Sequence, residues 1–165
     1  MIKNKDLYRF RQGFDSLYNV EIPADLSLKV IKNLRLINIE LEDLEKIVKP
    51  SEVFLKEYQP KVEDLAKKYC TKDENGNPLL KQEQNGSKLY TFNDEDKKQF
   101  EVDLIELENQ EENKELISTR KKQIETFNEL LEKESTIELF KVDISLLPKT
   151  ITPQQIDSIY ELIQE

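Results

Sequence analysis

The stretch VIKNLRLINIELEDLEKIVKPSEVFLKEYQPKVEDLAKKY, Val30 to Tyr69, sets Val30, Leu34, Ile37, Leu41, Leu44, Val48, Ser51, Leu55, Tyr58, Val62, Leu65 and Tyr69 at steps alternating between four and three residues. That spacing is the heptad seam of a helix packing along another helix. Only Ser51 interrupts the apolar row. Pro50 and Pro60 fall inside it. Proline removes a backbone hydrogen bond and clashes with the preceding turn, so each is expected to kink or break the helix. The register nevertheless continues past both. At about 1.5 Å per residue an uninterrupted helix here would be roughly 60 Å long, too long for a compact domain of this size. The expected fold is therefore mostly α: an elongated antiparallel helical hairpin, coiled-coil-like, in a single elongated domain spanning 1–165.

Residues 1–22 read as a short N-terminal helix and a connection. Leu7, Phe10, Phe14 and Leu17 repeat the three-and-four spacing, while Lys3, Lys5, Arg9 and Arg11 mark a basic side. Gly13 weakens the middle of this helix, and Val20, Glu21 and Ile22 before Pro23 read as extended chain, because the residue before proline is pushed away from helical angles. The apolar face is expected to fold onto the long heptad helix of 24–70; a partner's surface is the alternative cover.

Residues 72–92 read as a β-hairpin. Lys72, Asp73, Glu74, Asn75, Gly76, Asn77 and Pro78 give one turn signal, and Asn85-Gly86 gives a second. A type I′ turn at Asn85-Gly86 would pair Glu83 with Lys88 and Leu79 with Phe92. Residues 93–134 follow as acidic return helices. Asn93 is placed to cap, with Asp94, Glu95 and Asp96 where the helix dipole favours negative charge. Phe100, Leu104 and Leu107 form an apolar stripe whose phase fails across Asn109 to Glu115 and returns at Ile117, Ile124, Phe127 and Leu131. A stutter or a loop between two helices would do this. The arm is expected to run antiparallel to Val30–Tyr69, so that the two stripes bury each other.

Residues 136–165 read as a strand and a short C-terminal helix. Phe140, Val142 and Ile144 alternate with Lys141, Asp143 and Ser145, the period of a strand with one buried side. This strand either joins the hairpin as the third strand of a small β element or lies at its other end. Thr152, Pro153 and Gln155 make a capping box with proline at the first helical position, and Ile156, Ile159, Tyr160 and Ile163 supply an apolar face.

Composition agrees with solvated helices that bury narrow stripes: 36% of residues are charged and 37% hydrophobic, with three glycines and no tryptophan. The net charge of -9 is unevenly placed. Residues 1–70 carry 13 basic and 12 acidic side chains, against 12 and 22 in residues 71–165. Such a chain is repelled by phosphates, so direct nucleic-acid binding is not expected. No apolar run is long enough for a signal core or a membrane span, and the lone Cys70 cannot form an intrachain disulfide. The expected surroundings are a reducing cytoplasm.

Catalytic groupings do not stand out. There is no histidine, and so neither the commonest acid-base group nor the commonest nitrogen ligand for zinc. The glycines at 13, 76 and 86 are too scattered to cradle a phosphate, and no nucleophile elbow occurs. Asp73, Asn75 and Asn77 alternate like the first ligands of a calcium loop, but the sixth position is Pro78 and the twelfth Gln84, where such loops need glycine and a bidentate glutamate. No enzyme activity, cofactor or metal is expected. The run Asp94–Glu115 holds ten acidic and three basic residues; it reads as solvated helix surface, with phosphate mimicry as the alternative.

The order of these features resembles a known group. A short helix, Ile22-Pro23, a long helix containing Lys32-Asn33, Lys67-Lys68-Tyr69 leading into Lys72-Asp73-Glu74-Asn75-Gly76, a hairpin, an acidic helix, a strand over Ile137–Ile144 and a closing Ile151-Thr152-Pro153 helix are similar to small acidic helical proteins of tailed bacteriophages and prophages. The resemblance rests on short structural motifs and carries no catalytic residues. It implies a phage setting, with the chain in the virion, or in the host cytoplasm during assembly.

The expected role is a non-enzymatic virion-associated component of a neck, tail or portal ring or of the capsid surface, contacting other virion proteins; a homo-oligomer is left open, because a heptad seam can pair within the chain or between chains. The alternatives are an inhibitor of a host defence or nucleic-acid enzyme that uses the acidic arm, and a transient assembly chaperone. Candidate interface residues are Leu7, Phe10 and Phe14 on the first helix, Asp94, Glu95, Glu101, Glu108 and Glu112 on the acidic arm, and Phe140 and Val142 on the late strand.

Overall fold

The computed structural model describes residues 1–18, 20–83 and 86–164. The chain is mostly helical. Its α-helices are α1 (Asp6–Tyr18), α2 (Ala24–Val48), α3 (Gln59–Tyr69), α4 (Asp94–Asn109), α5 (Glu111–Glu132) and α6 (Pro153–Ile159). Four short strands, β1 (Leu80–Gln82), β2 (Lys88–Tyr90), β3 (Val142–Asp143) and β4 (Ile163–Gln164), form two separate two-stranded sheets. The chain divides into two compact units, Met1–Lys49 with Gln123–Glu165, and Pro50–Lys122.

The heptad row is a packed face through Leu44, lapses at the exposed Ser51 and Leu55, and resumes at Tyr58, which is buried, and at the half-buried Val62, Leu65 and Tyr69. In the first unit Val30, Leu34, Ile37, Leu41 and Leu44 of α2 are all buried. The helix stops at Val48 because Lys49 precedes Pro50 and takes an extended conformation, ψ 125°, as a residue before proline is driven to do. Ser51, the polar break in the row, starts the next helical stretch: its Oγ accepts the Phe54 N–H at 3.1 Å. Pro60 does not break that stretch. A single π turn, Phe54–Tyr58, precedes it, with the Gln59 N–H reaching back to the Phe54 carbonyl. Pro60 then sits in the first turn of α3, where a missing N–H is tolerated. The wider π turn also rotates the face that follows it. The continuous helix over 24–70 is therefore corrected to two stretches.

In the first unit α1 packs on both α2 and α6. Leu7, Phe10, Phe14 and Leu17 are fully buried with Leu26, Ile37, Val142, Ile159 and Leu162. Gly13 is needed for this packing: a Cβ there would lie 2.7 Å from both Ile159 Cγ2 and Ser158 Cβ, so it lets α6 approach α1. The last carbonyls of α5 have no intrahelical donors and are met from the start of the chain. Asn4 N–H donates to Lys133 O at 3.0 Å, Lys5 N–H to Leu131 O at 3.0 Å and Asn4 Nδ2 to Leu130 O at 2.9 Å. The capping box of Thr152 and Gln155 opens α6 as expected.

The late strand is shorter than its alternation suggests. Only Val142 and Asp143 pair, in parallel with Ile163 and Gln164, so this strand does not join the hairpin. Val142 is buried, but Phe140 is 43% and Ile144 54% exposed, which corrects the expected single buried side. The cause is local. The side chain of Asn33 takes both backbone groups of Phe140, and Asp143 Oδ1 accepts the Ser145 N–H at 2.8 Å, turning the chain into a 3-10 turn.

In the second unit β1 and β2 pair with Leu80 opposite Tyr90 and Gln82 opposite Lys88. This is one residue out of the expected register. Glu83 N–H donates to Ser87 O at 2.9 Å and Gly86 N–H to Glu83 O at 3.0 Å, with Gly86 at φ +83°. The loop is thus one residue longer than a two-residue turn, as in hairpins closed by a left-handed glycine. Gln84 and Asn85 lie outside the described residues. Asn93 caps α4 through the Asp96 N–H at 2.8 Å. The lost phase after Leu107 is a true break, since Gln110 is extended between α4 and α5. The buried Asn113 closes it by donating to Leu107 O at 2.8 Å.

Candidate interaction surface

The acidic arm is less uniformly negative in space than in sequence. Helices α3 and α4 pack together and run antiparallel: Tyr69 at the end of α3 meets Asp103 of α4, and Lys61 at the start of α3 reaches Glu112, just past the end of α4 in the first turn of α5. Asp103 is the centre of this contact. It accepts from Tyr69 Oη at 2.6 Å, Gln99 Nε2 at 2.7 Å and Lys68 Nζ at 3.2 Å. These bonds, the tyrosine's first, hold its carboxyl below the usual range. Beside it a groove of about 410 Å³ is lined by Lys61, Asp64, Leu65, Lys68, Asp103, Glu106, Leu107 and Gln110.

The candidate acids separate into two sets. Glu108 pairs with Lys121 at 3.3 Å and Glu112 with Lys61, so both are partly neutralised. Asp94 and Glu95, in the first turn of α4, and Glu101 are exposed. Val102 and Ile105 stand exposed on the same helix, away from its packed residues Phe100, Leu104 and Leu107. Asp73, the first residue of the calcium-loop lookalike, accepts the N–H groups of Asn75 and Asn77 and the Asn77 side chain. Its carboxylate closes its own turn.

In the first unit the candidates also divide. Leu7, Phe10, Phe14 and Val142 have no exposed surface and serve the core, which corrects their assignment to an interface. Phe140 remains exposed, with Lys32 Nζ 5.1 Å from its ring centroid. Two features were missed from sequence. The first is Asn33, fully buried, whose Nδ2 donates to Phe140 O at 2.9 Å while its Oδ1 accepts the Phe140 N–H at 2.8 Å. Its only signal was an amide inside an apolar face. The second is the outer face of α2, where Leu28 is 52% and Ile39 62% exposed. Its signal was aliphatic residues lying off the heptad row.

Charge also ties the ends of the first unit together. Glu132 accepts from Lys3 at 2.9 Å and Lys5 at 2.8 Å, and Arg9 donates to Glu161 at 2.6 Å. The bonds from Lys3 and then Lys5 pull the Glu132 carboxyl from 4.5 to about 2. A carboxyl depressed in the fold stabilises it above its unfolded pKa, and that contribution disappears as pH falls through the folded one. Between about pH 4.5 and pH 2, Glu132→Gln should therefore flatten the fall in stability relative to the parent chain. Urea midpoints measured across that range check it; parallel acid limbs would count against the Glu132 contribution.

No protein-family model, curated protein or solved structure matches this chain. Among the described residues, no helix is long and apolar enough to cross a membrane.

Proposed function

We propose that the chain is a non-enzymatic structural component of a tailed-phage particle, packed against other virion proteins in a neck, tail or portal ring or on the capsid. The observation that carries this reading is the set of aliphatic side chains left on outer helical faces: Leu28 and Ile39 on α2, and Val102 and Ile105 on α4. Exposed apolar residues on faces that also carry charge suit contacts between subunits. The order of elements resembling small phage proteins supplies the setting, which is the virion, with the host cytoplasm as the place of assembly. In this reading coiled-coil-like packing is confined to α3 against α4, and the Lys68–Asp103 ion pair and the Tyr69–Asp103 hydrogen bond across those helices support it. Partners are proteins; the net charge of -9 argues against nucleic acid.

Mass spectrometry of purified particles tests the proposal, with stoichiometric presence as the expected result. Absence from particles combined with association during assembly would instead make the chain a chaperone. A second reading, inhibition of a host defence or nucleic-acid enzyme, is favoured by the exposed Asp94, Glu95 and Glu101. It requires that charge reversal at those three positions abolish inhibition.

A further inference from the structure

We infer that the outer face of α2 is a self-complementary surface covered by a second copy of this chain, with the two α2 helices antiparallel across a two-fold axis. The inference does not depend on the phage setting: it assigns the α2 part of the exposed aliphatic surface to contact between copies and leaves Val102 and Ile105 of α4 for other proteins. Helix α2 has two stripes. One, through Leu26, Val30, Ile37 and Leu41, is buried in the core of its own unit. The other, on the opposite face at steps of three and four, runs through Leu28, Ile31, Arg35, Ile39 and Glu42, every one of them exposed. A helix that is apolar on two faces has one face left to bury.

The charges within the outer stripe choose its occupant. Arg35 and Glu42 have opposite signs and lie at equal distances in sequence on either side of Asn38 and Ile39. A two-fold axis passing near Ile39 therefore brings Arg35 of each copy to Glu42 of the other, twice in one dimer, as an isologous contact requires. The same operation places Lys32 near the second copy's Glu45. Parallel pairing would instead set Arg35 against Arg35 and Glu42 against Glu42, and like charges across an interface are costly. Among the described residues Arg35 and Glu42 form no ion pair within the chain; Lys46, whose charge Glu42 also feels, is bonded to Asp43 at 2.7 Å. The exposed Phe140 ring, held beside Lys32, borders the stripe.

A helix about 37 Å long presents a surface at the low end of specific dimer interfaces, which consigns association to about micromolar concentration. Sedimentation velocity on the full chain over a concentration series tests this. The parent chain should dimerise. Arg35→Glu alone and Glu42→Arg alone should each weaken dimerisation roughly tenfold, because both contacts between positions 35 and 42 then become repulsive while the Lys32–Glu45 contacts stay attractive. An equimolar mixture of the two variants should restore it, since each copy then offers the sign the other lacks. Ile39→Cys should cross-link to a covalent dimer on mild oxidation, which gives an independent reading should a charge variant fold poorly. A parent chain that stays monomeric at about 500 μM, a mixture no tighter than either variant alone, or an Ile39→Cys chain that resists cross-linking would overturn the inference.

Discussion

Phe10→Ala is expected to lower the unfolding free energy by about 3–5 kcal/mol, the usual cost of removing a buried aromatic ring and leaving a cavity. Phe10 has no exposed surface and sits in a core with Leu7, Phe14 and Leu17 of its own helix and Ile159 and Leu162 from the end of the chain. Rearrangement to fill the space is restricted on the α6 side, where Gly13 already brings Ile159 and Ser158 into close approach. The helix that carries Phe10 also supplies Arg9 to Glu161 and is preceded by the lysines that hold Glu132. Loosening it therefore weakens contacts at both ends of the unit. Urea denaturation followed by circular dichroism measures the effect. If Phe10 belonged instead to a partner surface, truncation would leave the midpoint where it was and change only association.

Asn33→Ala should destabilise by about 1–3 kcal/mol, because each of the two part-buried bonds that Asn33 makes contributes about 0.5–1.5 kcal/mol. Here two bonds are lost together, at 2.9 Å and 2.8 Å. Asn33 acts as a one-residue strand partner: it receives the Phe140 N–H and returns a donor to the Phe140 carbonyl. Its loss would free the chain immediately before Val142, whose pairing with Ile163 closes the small parallel sheet. Amide hydrogen exchange gives the most direct reading, with protection expected to disappear first at Phe140. An unchanged Phe140 protection factor in Asn33→Ala would refute the two-point lock, whatever happened to global stability. Asn33→Asp keeps the acceptor, loses the donor and buries a charge, so its cost should shrink as pH falls and the carboxyl is protonated.

Features controlled by neighbouring residues were legible in the sequence. Asn93 before three acids, and Thr152 with Pro153 and Gln155, announce helix starts because a side chain bonds to backbone two or three residues away. The apolar spacing of α1 and α2 was equally plain as far as Val48. Beyond that point the row still marked the packed face at Tyr58, Val62, Leu65 and Tyr69 but misled about continuity, because periodicity counts residues and cannot register the change of direction at Lys49 or the extra width of the π turn before Pro60. The hairpin register depended on a single residue of loop length. Pairing of Val142 with Ile163 is nonlocal, and the lock that ends the strand comes from Asn33, 107 residues away.

The candidate site shows the same division. An apolar face on α1 was correctly identified, yet spacing alone does not say whether a core or a partner covers it, and Phe10 and Phe14 turned out to be core. Glu108 and Glu112 looked like part of a continuous acidic field, but Lys121 and Lys61 face them. Those lysines lie 13 and 51 residues from their partners. Their effect on the field becomes visible only when the helices are packed.

The discontinuity of the first unit bears on how the protein is made. Its contacts join segments far apart in the chain, as in Arg9 with Glu161, 152 residues away, and Lys3 with Glu132, 129 away. The second unit is continuous and closes through nearer pairs, such as Tyr69 with Asp103 at a separation of 34. Near pairs lose less chain entropy on closing and form sooner. During synthesis the inserted unit can therefore fold while α1 and α2 wait with an uncovered apolar face for residues 123–164 to leave the ribosome. The N-terminal helices are the part of the nascent chain that most needs protection from misassociation.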